Sequence, residues 1–272
     1  MCTIIALHRV RDDAPLVIAA NRDEFYARAS SGPQVLDPAF GIVGGRDEQA
    51  KGTWLGVRPP HGDAPHGLVV AVTNQRTLAP PDPSRHSRGE LVLEALRRGN
   101  VAAIDAFLSG IDARRYNPFN LLYGDGLGLH VAYARDEPRI TIEAYEPGVV
   151  VLANDRVGAP EYPKTRRAEA LVRPWLDAPL PELRQRLRAA LADHEKPDAV
   201  SGASIPWFGE ELLRELQALC IHSPMYGTRS STIVVLGRAS GEDRVLGYEH
   251  AEGPPCTAAF ADFTHLAASS RR

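Results

Sequence analysis

Three uninterrupted runs of largely apolar residues constrain the fold of this chain most. They cover residues 16–20, 67–73 and 149–153, and each is far too short to cross a membrane. Apolar runs of this length, unlike runs in which polar residues alternate, are typical of β-strands buried on both faces. The fold must therefore place a covering layer on each side of these strands.

The order of the predicted elements excludes a doubly wound parallel sheet, because strands and helices come in blocks and do not alternate. Short apolar or β-branched runs predict strands at residues 2–8, 16–20, 54–57, 67–73, 119–123, 127–134, 140–145, 149–153, 231–236 and 245–248. Capping signals and helical periodicity predict helices from Ser87 to Gly99 and over residues 101–108, 165–176, 180–192 and 207–220. We therefore predict an α+β fold with two stacked antiparallel sheets and helices on both outer faces. This four-layer αββα sandwich is expected to form a single domain over residues 1–272.

Composition and charge exclude several classes of function. The formal net charge of −3 lacks the basic excess of nucleic-acid-binding proteins, and no apolar run is long enough to predict a membrane span. Cys2, Cys220 and Cys256 are too few for a disulfide scaffold, and the nine histidines form no HxxxH or HxH pair. We expect no metal and no cofactor, and a cytoplasmic location. The sequence gives no indication of oligomeric state.

Cys2 is the residue whose position most suggests catalysis. Removal of Met1 would leave Cys2 with both a thiol and a free α-amine. Because an α-amine has a pKa near about 8, it can accept the thiol proton near neutral pH, so that one residue supplies nucleophile and base. The alternative interpretation is an ordinary buried cysteine, although the apolar strand that follows would fix Cys2 in space.

Residues 21–24 (Asn-Arg-Asp-Glu) end the second predicted strand and spell the tetrapeptide after which the NRDE family is named. The chain resembles this family, whose best-known members are the transport-and-Golgi-organisation proteins, in an ordered set of further segments. These are residues 1–4 (MCTI), 45–47 (GRD), 52–56 (GTWLG), 74–76 (NQR), 87–90 (SRGE), 117–121 (NPFNL) and 226–229 (YGTR). The ordered set is far more specific than the tetrapeptide alone.

The pattern is similar, more distantly, to the N-terminal-nucleophile cysteine amidohydrolases that include penicillin V acylase and bile-salt hydrolase. Those enzymes begin at a cysteine that processing exposes, and their fold is the αββα sandwich. The resemblance implies an amide or ester hydrolase that acts on non-peptide C–N bonds of a small acyl substrate. It implies a catalytic site formed by Cys2, Arg22, Asp23, Asn74, Asn154 and Arg229.

Acyl transfer assigns roles to these residues. The Cys2 sulfur would attack the carbonyl carbon, and its α-amine would carry the thiol proton to the leaving group. Asp23 would accept a hydrogen bond from the amine and orient it. Asn74 or Asn154 would donate to the oxyanion. Asparagines at strand ends also commonly form turns, which is the alternative interpretation for both.

Arg22 or Arg229 would lower the pKa of the thiol by opposite charge. In the amidohydrolases two residues separate the arginine from the aspartate, whereas Arg22 and Asp23 are adjacent. Side chains alternate along a strand, so Asn21 and Asp23 are expected on one face and Arg22 and Glu24 on the other. Only a bulge or a strand end would direct both Arg22 and Asp23 toward Cys2.

A binding protein without turnover is the alternative function. Eukaryotic members of the NRDE family are linked to haem handling and secretory organisation, so the resemblance implies a hydrophobic ligand such as haem. Aromatic candidates for the lining of a ligand pocket are Trp54, Phe119 and Tyr226. We interpret Cys220 as a buried core residue rather than, with His222, a ligand to metal or haem.

Loops are expected to shape the substrate pocket, in particular residues 44–51 and 60–65. Both segments are rich in glycine, proline or polar residues, which favours turns over regular elements. His61 and His66 lie in the second of these regions or just after it, and we expect both to be solvated. The identity of the substrate does not follow from such loops.

Intact-mass analysis of the native protein is expected to show loss of Met1, because a free α-amine at Cys2 is the predicted base. An N-terminal peptide that begins at Cys2 in a proteolytic digest provides the independent check. Complete retention of Met1 would remove the base and contradict this mechanism.

Overall fold

Two antiparallel β-sheets lie at the centre of the structure, a computed structural model that describes residues 2–77, 80–197, 209–238 and 245–268. The strands are β1 (Thr3–His8), β2 (Leu16–Phe25), β3 (Ser30–Asp37), β4 (Ile42–Asp47), β5 (Leu55–Arg58), β6 (Leu68–Asn74), β7 (Phe119–Gly124), β8 (Leu129–Ala134), β9 (Thr141–Ala144), β10 (Gly148–Leu152), β11 (Tyr226–Leu236), β12 (Val245–Glu252) and β13 (Ala261–Asp262). Sheet A has the order β10-β1-β2-β11-β12-β13, and sheet B has the order β3-β4-β5-β6-β7-β8-β9.

Helices cover the outer face of each sheet. The helices are α1 (Arg88–Arg97), α2 (Val101–Ser109), α3 (Pro163–Val172), α4 (Leu180–Leu191), α5 (Glu210–Glu215) and α6 (Thr264–Ala268). The first two pack on sheet B, whereas α3 and α4 pack on sheet A. The predicted αββα sandwich is therefore confirmed. No helix within the described ranges is long and apolar enough to cross a membrane.

Alternation along β1 and β2 explains why their sequences are apolar throughout. Ile4 and Ala6 pack in the core between the two sheets, while Ile5 and Leu7 pack against α3 and α4. β2 alternates in the same way. Burial of each large aliphatic side chain stabilises the fold by about 1.5–3 kcal/mol. The last residues of these strands therefore lie between two hydrophobic layers.

β3 and β4 were not predicted from the sequence. β3 contains Gly32 and Pro33 and has an irregular register opposite β4, and it lies at the edge of sheet B, where proline is tolerated. β4 includes Gly44 and Gly45, and a side chain at Gly44 would lie 2.7 Å from the backbone oxygen of Leu55. The prediction of a pocket-forming loop at residues 44–51 is therefore wrong for residues 44–47.

Several predicted boundaries also differ. The helix expected at residues 207–220 is the short α5, and residues 207 and 208 lie outside the described part of the chain. The helix expected at residues 165–176 is α3 followed by a short 3-10 turn. β11 begins at Tyr226, five residues before the predicted start, so Arg229 lies inside a strand and not ahead of it.

Two glycines bring the loop before β5 against the start of α1. The backbone N–H of Thr53 donates to the carbonyl of Gly89 at 3.2 Å. A Cβ at Gly52 would lie 2.2 Å from the carbonyl carbon of Gly89, so the two backbones meet where a side chain has no room. Ser87 caps α1 by accepting from the N–H of Glu90, as predicted. This contact fixes Arg88, which lies between the cap and the glycine.

Gly52→Ala is expected to lower the free energy of unfolding by about 1–3 kcal/mol, because the added methyl group overlaps backbone that cannot move independently. Gly110→Ala is the matched control, since its Cβ would meet only ordinary contacts at 3.6 Å or more. Urea denaturation of both variants measures the difference. Equal stabilities of the two variants would contradict the packing argument.

Candidate active site

Cys2 directly precedes β1 and lies between the ends of two neighbouring strands. The antiparallel registers of β1 with β2 and β10 place it, when continued by one or two residues, opposite Arg22 and Asn154. Directly opposed residues share a face of a sheet. The neighbouring set of opposed residues, Ile4, Ala20 and Leu152, packs between the two sheets. The three side chains are therefore directed into the space between sheets A and B, and Cys2 is only 9% exposed.

The NRDE segment divides its side chains between two layers, as the alternation predicted. Asn21 faces α4 and donates from Nδ2 to the carbonyls of Leu191 and Leu219, both at 2.8 Å. Its Oδ1 accepts from the hydroxyl of Ser231 at 2.6 Å. The two bonds from Nδ2 join the helical layer to sheet A, and the bond from Ser231 joins β11 to β2. Asn21 therefore positions the strand end and has no contact with the space between the sheets.

Arg22 faces the other sheet. Its guanidinium donates to the hydroxyl of Ser30 at 3.3 Å and lies 3.6 Å from a carboxylate oxygen of Asp47. Asp47 belongs to the GRD segment and also accepts from Arg28 at 2.7 Å. The NRDE and GRD motifs are therefore in direct contact across the two sheets. This contact holds the positive charge of Arg22 close to Cys2.

Asp23 is buried on the helix-facing side, beside Lys164 of α3. Oδ1 of Asp23 accepts from the hydroxyl of Thr228 at 2.7 Å. Burial raises the pKa of Asp23 to about 6, although the Lys164 ammonium and the Thr228 hydroxyl oppose the shift. Lys164 is 2% exposed, and its Nζ has no hydrogen-bond partner among the described residues. Burial lowers the pKa of Lys164, while the charges of Asp23 and Cys2 oppose that shift.

The thiol of Cys2 experiences opposing influences. Burial raises its pKa, and the carboxylate of Asp23 adds to that rise. Arg22 and the backbone N–H of Asp23 lower it. Arg22 lowers the pKa of the Cys2 thiol, as expected of an arginine. Burial raises this pKa by more, so the thiol is neutral. Activation of this sulfur therefore requires a base in contact with it.

Arg229 occupies a β-bulge. The register of β11 against β2 shifts between Thr228, opposite Asp23, and Ser230, opposite Arg22. The guanidinium of Arg229 donates to the carbonyl of Tyr26 at 3.3 Å. The bulge lies on the partner strand, while β2 stays regular through Phe25, so the condition for Arg22 and Asp23 to face Cys2 together is not met. Arg22 and Asp23 consequently remain on opposite faces.

A cavity of about 740 Å³ opens where β6 ends and just beyond β10. Asn74 and Asn154 both line it. Nδ2 of Asn154 donates to the backbone carbonyl of Asn74 at 2.7 Å, and Oδ1 of Asn154 has no hydrogen-bond partner among the described residues. Asn154 is buried and the side chain of Asn74 is exposed. Two amide groups thus line the cavity, and Asn154 lies opposite Cys2 when the strand register is continued.

Apart from Tyr226, the remaining walls of the cavity come from residues that the sequence analysis did not predict to line a pocket. They include Phe25, Pro80, Pro81, Arg88, Pro118, Leu212, Leu216, His222, Met225 and Tyr226. Of the three predicted aromatic residues only Tyr226 is among them, because Trp54 and Phe119 pack in the hydrophobic core. The predicted pocket loops, residues 44–51 and 60–65, do not contribute. Arg88, in the cavity wall, lies within electrostatic range of Cys2.

Sequence reasoning did not identify Lys164, Arg88 or Thr228 as site residues. Arg88 belongs to the SRGE segment and Thr228 to the YGTR segment, so the motifs contained a signal for these two. Lys164 follows a proline at the start of α3, and its burial depends on the docking of that helix on sheet A. No local pattern marks a lysine for such a position.

Comparison with known proteins agrees with the motifs. The sequence profile of the family described as Transport and Golgi organisation 2 matches residues 1–250 of the chain. The chain belongs to this family. Within the Transport and Golgi organisation 2 family it is 30% identical over 240 residues to the Homo sapiens Transport and Golgi organization protein 2 homolog. It is 29% identical over 234 residues to the Bos taurus homolog, and each alignment covers 81% of this chain and 82% of the relative.

Two solved structures are similar to this member of the Transport and Golgi organisation 2 family. Penicillin V acylase from Agrobacterium tumefaciens has a TM-score of 0.45, with 100% of this chain and 89% of that chain covered. The Caenorhabditis elegans ortholog of N-acylethanolamine-hydrolyzing acid amidase has a TM-score of 0.43, with 90% and 96% covered. Each is 12% identical in sequence.

The Asp23→Asn substitution is expected to change the pH dependence of stability. A carboxyl group with a pKa of about 6 in the folded chain and about 4 in the unfolded chain favours folding in its protonated form. This contribution is complete below pH 4 or so and is lost as the pH rises through about 6. Because asparagine is always neutral, the stability of the variant relative to wild type should increase by about 3 kcal/mol between about pH 4 and pH 7.

Urea denaturation of both proteins across this pH range measures the difference, in which contributions of all other groups cancel. A difference that is independent of pH would show that Asp23 is not desolvated. If Asp23→Asn does not fold at any pH, Thr228→Val provides the test, because it removes the hydroxyl group that lowers the pKa of Asp23. The stability of Thr228→Val relative to wild type should decrease, not increase, as the pH rises.

Proposed function

We propose that this protein is a hydrolase that uses Cys2 as its nucleophile against the carbonyl group of a small acyl amide or ester. The observation that carries the proposal is the strand register that, continued to Cys2, places it opposite Arg22 and Asn154, together with the large cavity that Asn154 lines. This row of opposed residues places a thiol, a cation and an amide donor on one face. These are the groups that acyl transfer requires.

The neutral state of the thiol supports a role for the α-amine that removal of Met1 would expose. Burial keeps the Cys2 proton on sulfur, so an adjacent base is needed to remove it during attack. The α-amine of Cys2 belongs to the same residue as the thiol and is therefore adjacent to it. The Asp23 carboxylate lies within electrostatic range of Cys2 and is proposed to hold this amine in place. The proton then passes from the amine to the leaving group.

The oxyanion is proposed to lie between the two asparagines. Asn154 is the better placed donor, because it is buried and lies in the same row as the nucleophile. One N–H of its Nδ2 is used by the carbonyl of Asn74, which fixes the amide and leaves the second N–H for substrate. A fixed donor needs no reorganisation when negative charge develops. Asn74 is proposed to assist from the cavity wall.

The cavity suggests a substrate with an apolar acyl group. Its walls combine prolines, leucines, Phe25, Met225 and Tyr226, with Arg88 as a cation near the thiol. A volume of about 740 Å³ is within the range of sites for drug-sized molecules. We propose that the acyl chain lies along the apolar wall and that no cofactor takes part. The cytoplasm is the proposed compartment.

A ligand carrier without turnover is the second candidate, and the same cavity favours it. An apolar cavity binds a hydrophobic molecule whether or not a nucleophile is present. Haem is one such molecule, with His222 in the cavity wall as an available ligand to iron. The two functions differ in what they require of Cys2, since an enzyme needs the sulfur and a carrier needs the shape.

Cys2→Ala is expected to abolish hydrolysis of N-acyl amides and acyl esters while leaving their binding within about threefold of wild type. The reason is that alanine removes the nucleophile without changing the cavity wall or the removal of Met1. Cys2→Ser, which keeps an oxygen nucleophile, should retain partial activity. Turnover is measured by product release, and binding by calorimetry with the same compounds. Undiminished hydrolysis by Cys2→Ala would exclude the nucleophile, and haem binding without any hydrolysis by wild type would favour the carrier.

Asn154→Ala is expected to lower kcat by roughly 10²-fold with little change in KM, because an oxyanion donor acts mainly in the transition state. Asn74→Ala tests the second donor, and the larger loss identifies the main one. Asn100→Ser is the matched control, since Asn100 caps α2 in the outer layer and serine preserves a cap. An increase in KM alone for Asn154→Ala would assign it to substrate binding instead.

A further inference from the structure

Four side chains with metal-binding atoms converge beside the proposed active site, and one of them, His222, also lines its cavity. They are His194, Cys220, His222 and Cys256, and their ligand atoms all lie within 4.8 Å of one another. His194 follows α4, Cys220 and His222 lie in the turn that leads into β11, and Cys256 lies in the connection between β12 and β13. Three separate segments of the chain therefore meet at this point.

The distances within the cluster match a tetrahedral metal centre. Zn–S bonds of about 2.3 Å and Zn–N bonds of about 2.0 Å give tetrahedral edges of about 3.8 Å between sulfurs and about 3.5 Å between sulfur and nitrogen. The two sulfurs of Cys220 and Cys256 are 3.8 Å apart. Nε2 of His222 lies 3.6 Å from Cys220 Sγ and 3.3 Å from Cys256 Sγ. One triangular face of the coordination tetrahedron is thus already formed.

His194 supplies the fourth corner. Its Nδ1 lies 3.1 Å from the carbonyl oxygen of Cys220, and because a carbonyl only accepts, Nδ1 carries the proton. The lone pair is then on Nε2, the nitrogen left for a metal. A hydrogen bond from the second nitrogen to a backbone carbonyl is the usual way in which a ligating histidine is oriented. The ring of His194 also lies against that of His222, with centroids 5.0 Å apart.

A disulfide between the two cysteines explains less of the geometry. A sulfur–sulfur bond of about 2.0 Å needs the two atoms to move together by nearly 2 Å, and it makes no use of the two histidines. Hydrogen bonding between a thiol and an imidazole would need only one cysteine and one histidine, and would not explain why two of each converge. Two sulfurs and two imidazole nitrogens at tetrahedral spacing are the donor set that zinc prefers.

We propose that His194, Cys220, His222 and Cys256 bind one Zn²⁺ ion in a closed structural site. Four protein ligands leave no position for water or substrate, so the ion holds segments together and performs no chemistry. On binding, the two thiols lose their protons to solvent and the neutral histidines bind through nitrogen, which gives an uncharged centre. The site joins the end of α4, the start of β11 and the connection after β12.

Hydrogen bonds connect the turn that carries two of the proposed zinc ligands to Asp23. Thr228, in the strand that follows the Cys220–His222 turn, accepts from the backbone N–H of Ile221 at 2.9 Å and donates to Asp23 at 2.7 Å. The zinc-bound turn and the carboxylate therefore share one hydroxyl group. Zinc is expected to order this turn in the protein as it exists, independently of whether Cys2 is catalytic.

Purified full-length protein is expected to bind one Zn²⁺ per chain after incubation with zinc chloride and gel filtration under reducing conditions, as measured by elemental analysis. Co²⁺ in its place should give the intense visible absorption of a tetrahedral site together with a thiolate-to-cobalt charge-transfer band. Cys256→Ser and His194→Ala should each weaken zinc binding by more than about 100-fold, since loss of a ligand exceeds the usual effect of losing an outer-shell partner.

His61→Ala is the matched control, because His61 is exposed in a remote loop, and it should bind zinc as wild type does. Cys2→Ala should also retain the ion, which separates this site from the proposed nucleophile. Zinc content below about 0.1 per chain, an octahedral cobalt spectrum, or a Cys220–Cys256 disulfide in the protein isolated under reducing conditions would each overturn the proposal. Equal affinity of Cys256→Ser and wild type would overturn it as well.

Discussion

Burial of β1 and β2 on both faces governs the chemistry at their ends. Every polar group that these strands carry between the two hydrophobic layers loses water, so its charge must be balanced by a neighbour or given up. Cys2 stays neutral, Asp23 titrates higher than a surface carboxyl, and Lys164 is held without a hydrogen-bond partner among the described residues. The same layers that stabilise the sandwich thus bring an acid, a base and a thiol to unusual protonation equilibria in one small volume.

The sequence allowed prediction of whatever depends on local periodicity. The runs buried on both faces and the blocks of strands and helices led to the αββα sandwich, and the alternation in β2 placed Asn21 and Asp23 on the side opposite Arg22. The irregular strands β3 and β4 could not be predicted from periodicity. They carry glycine and proline, which a strand tolerates only at an edge or at a close contact. Their pairing with neighbouring strands, and not their propensity, makes them strands.

The sequence predicted only those residues of the candidate site that lie in or beside recognisable motifs. The placement of Cys2 beside Arg22 and Asn154 follows from sheet register, which the residues themselves do not encode. Lys164 and the walls of the cavity depend on how helices and loops pack. The four proposed zinc ligands come from three separate segments, with Cys220 and Cys256 36 residues apart. Cysteine and histidine spacing identifies a metal site only when the ligands share one turn or hairpin.

The β-bulge at Arg229 decides which layer each hydroxyl group of β11 faces. Because one extra residue separates Thr228 from Ser230 in the pairing, these two side chains point to opposite faces although they are two positions apart. One strand thereby offers a hydroxyl to Asp23 in the helical layer and another to the space beside Arg22. If β11 paired regularly with β2 without the bulge, Arg229 would lie opposite Asp23, and Thr228 would face the same side as Ser230. The extra residue therefore lets a single strand serve both layers.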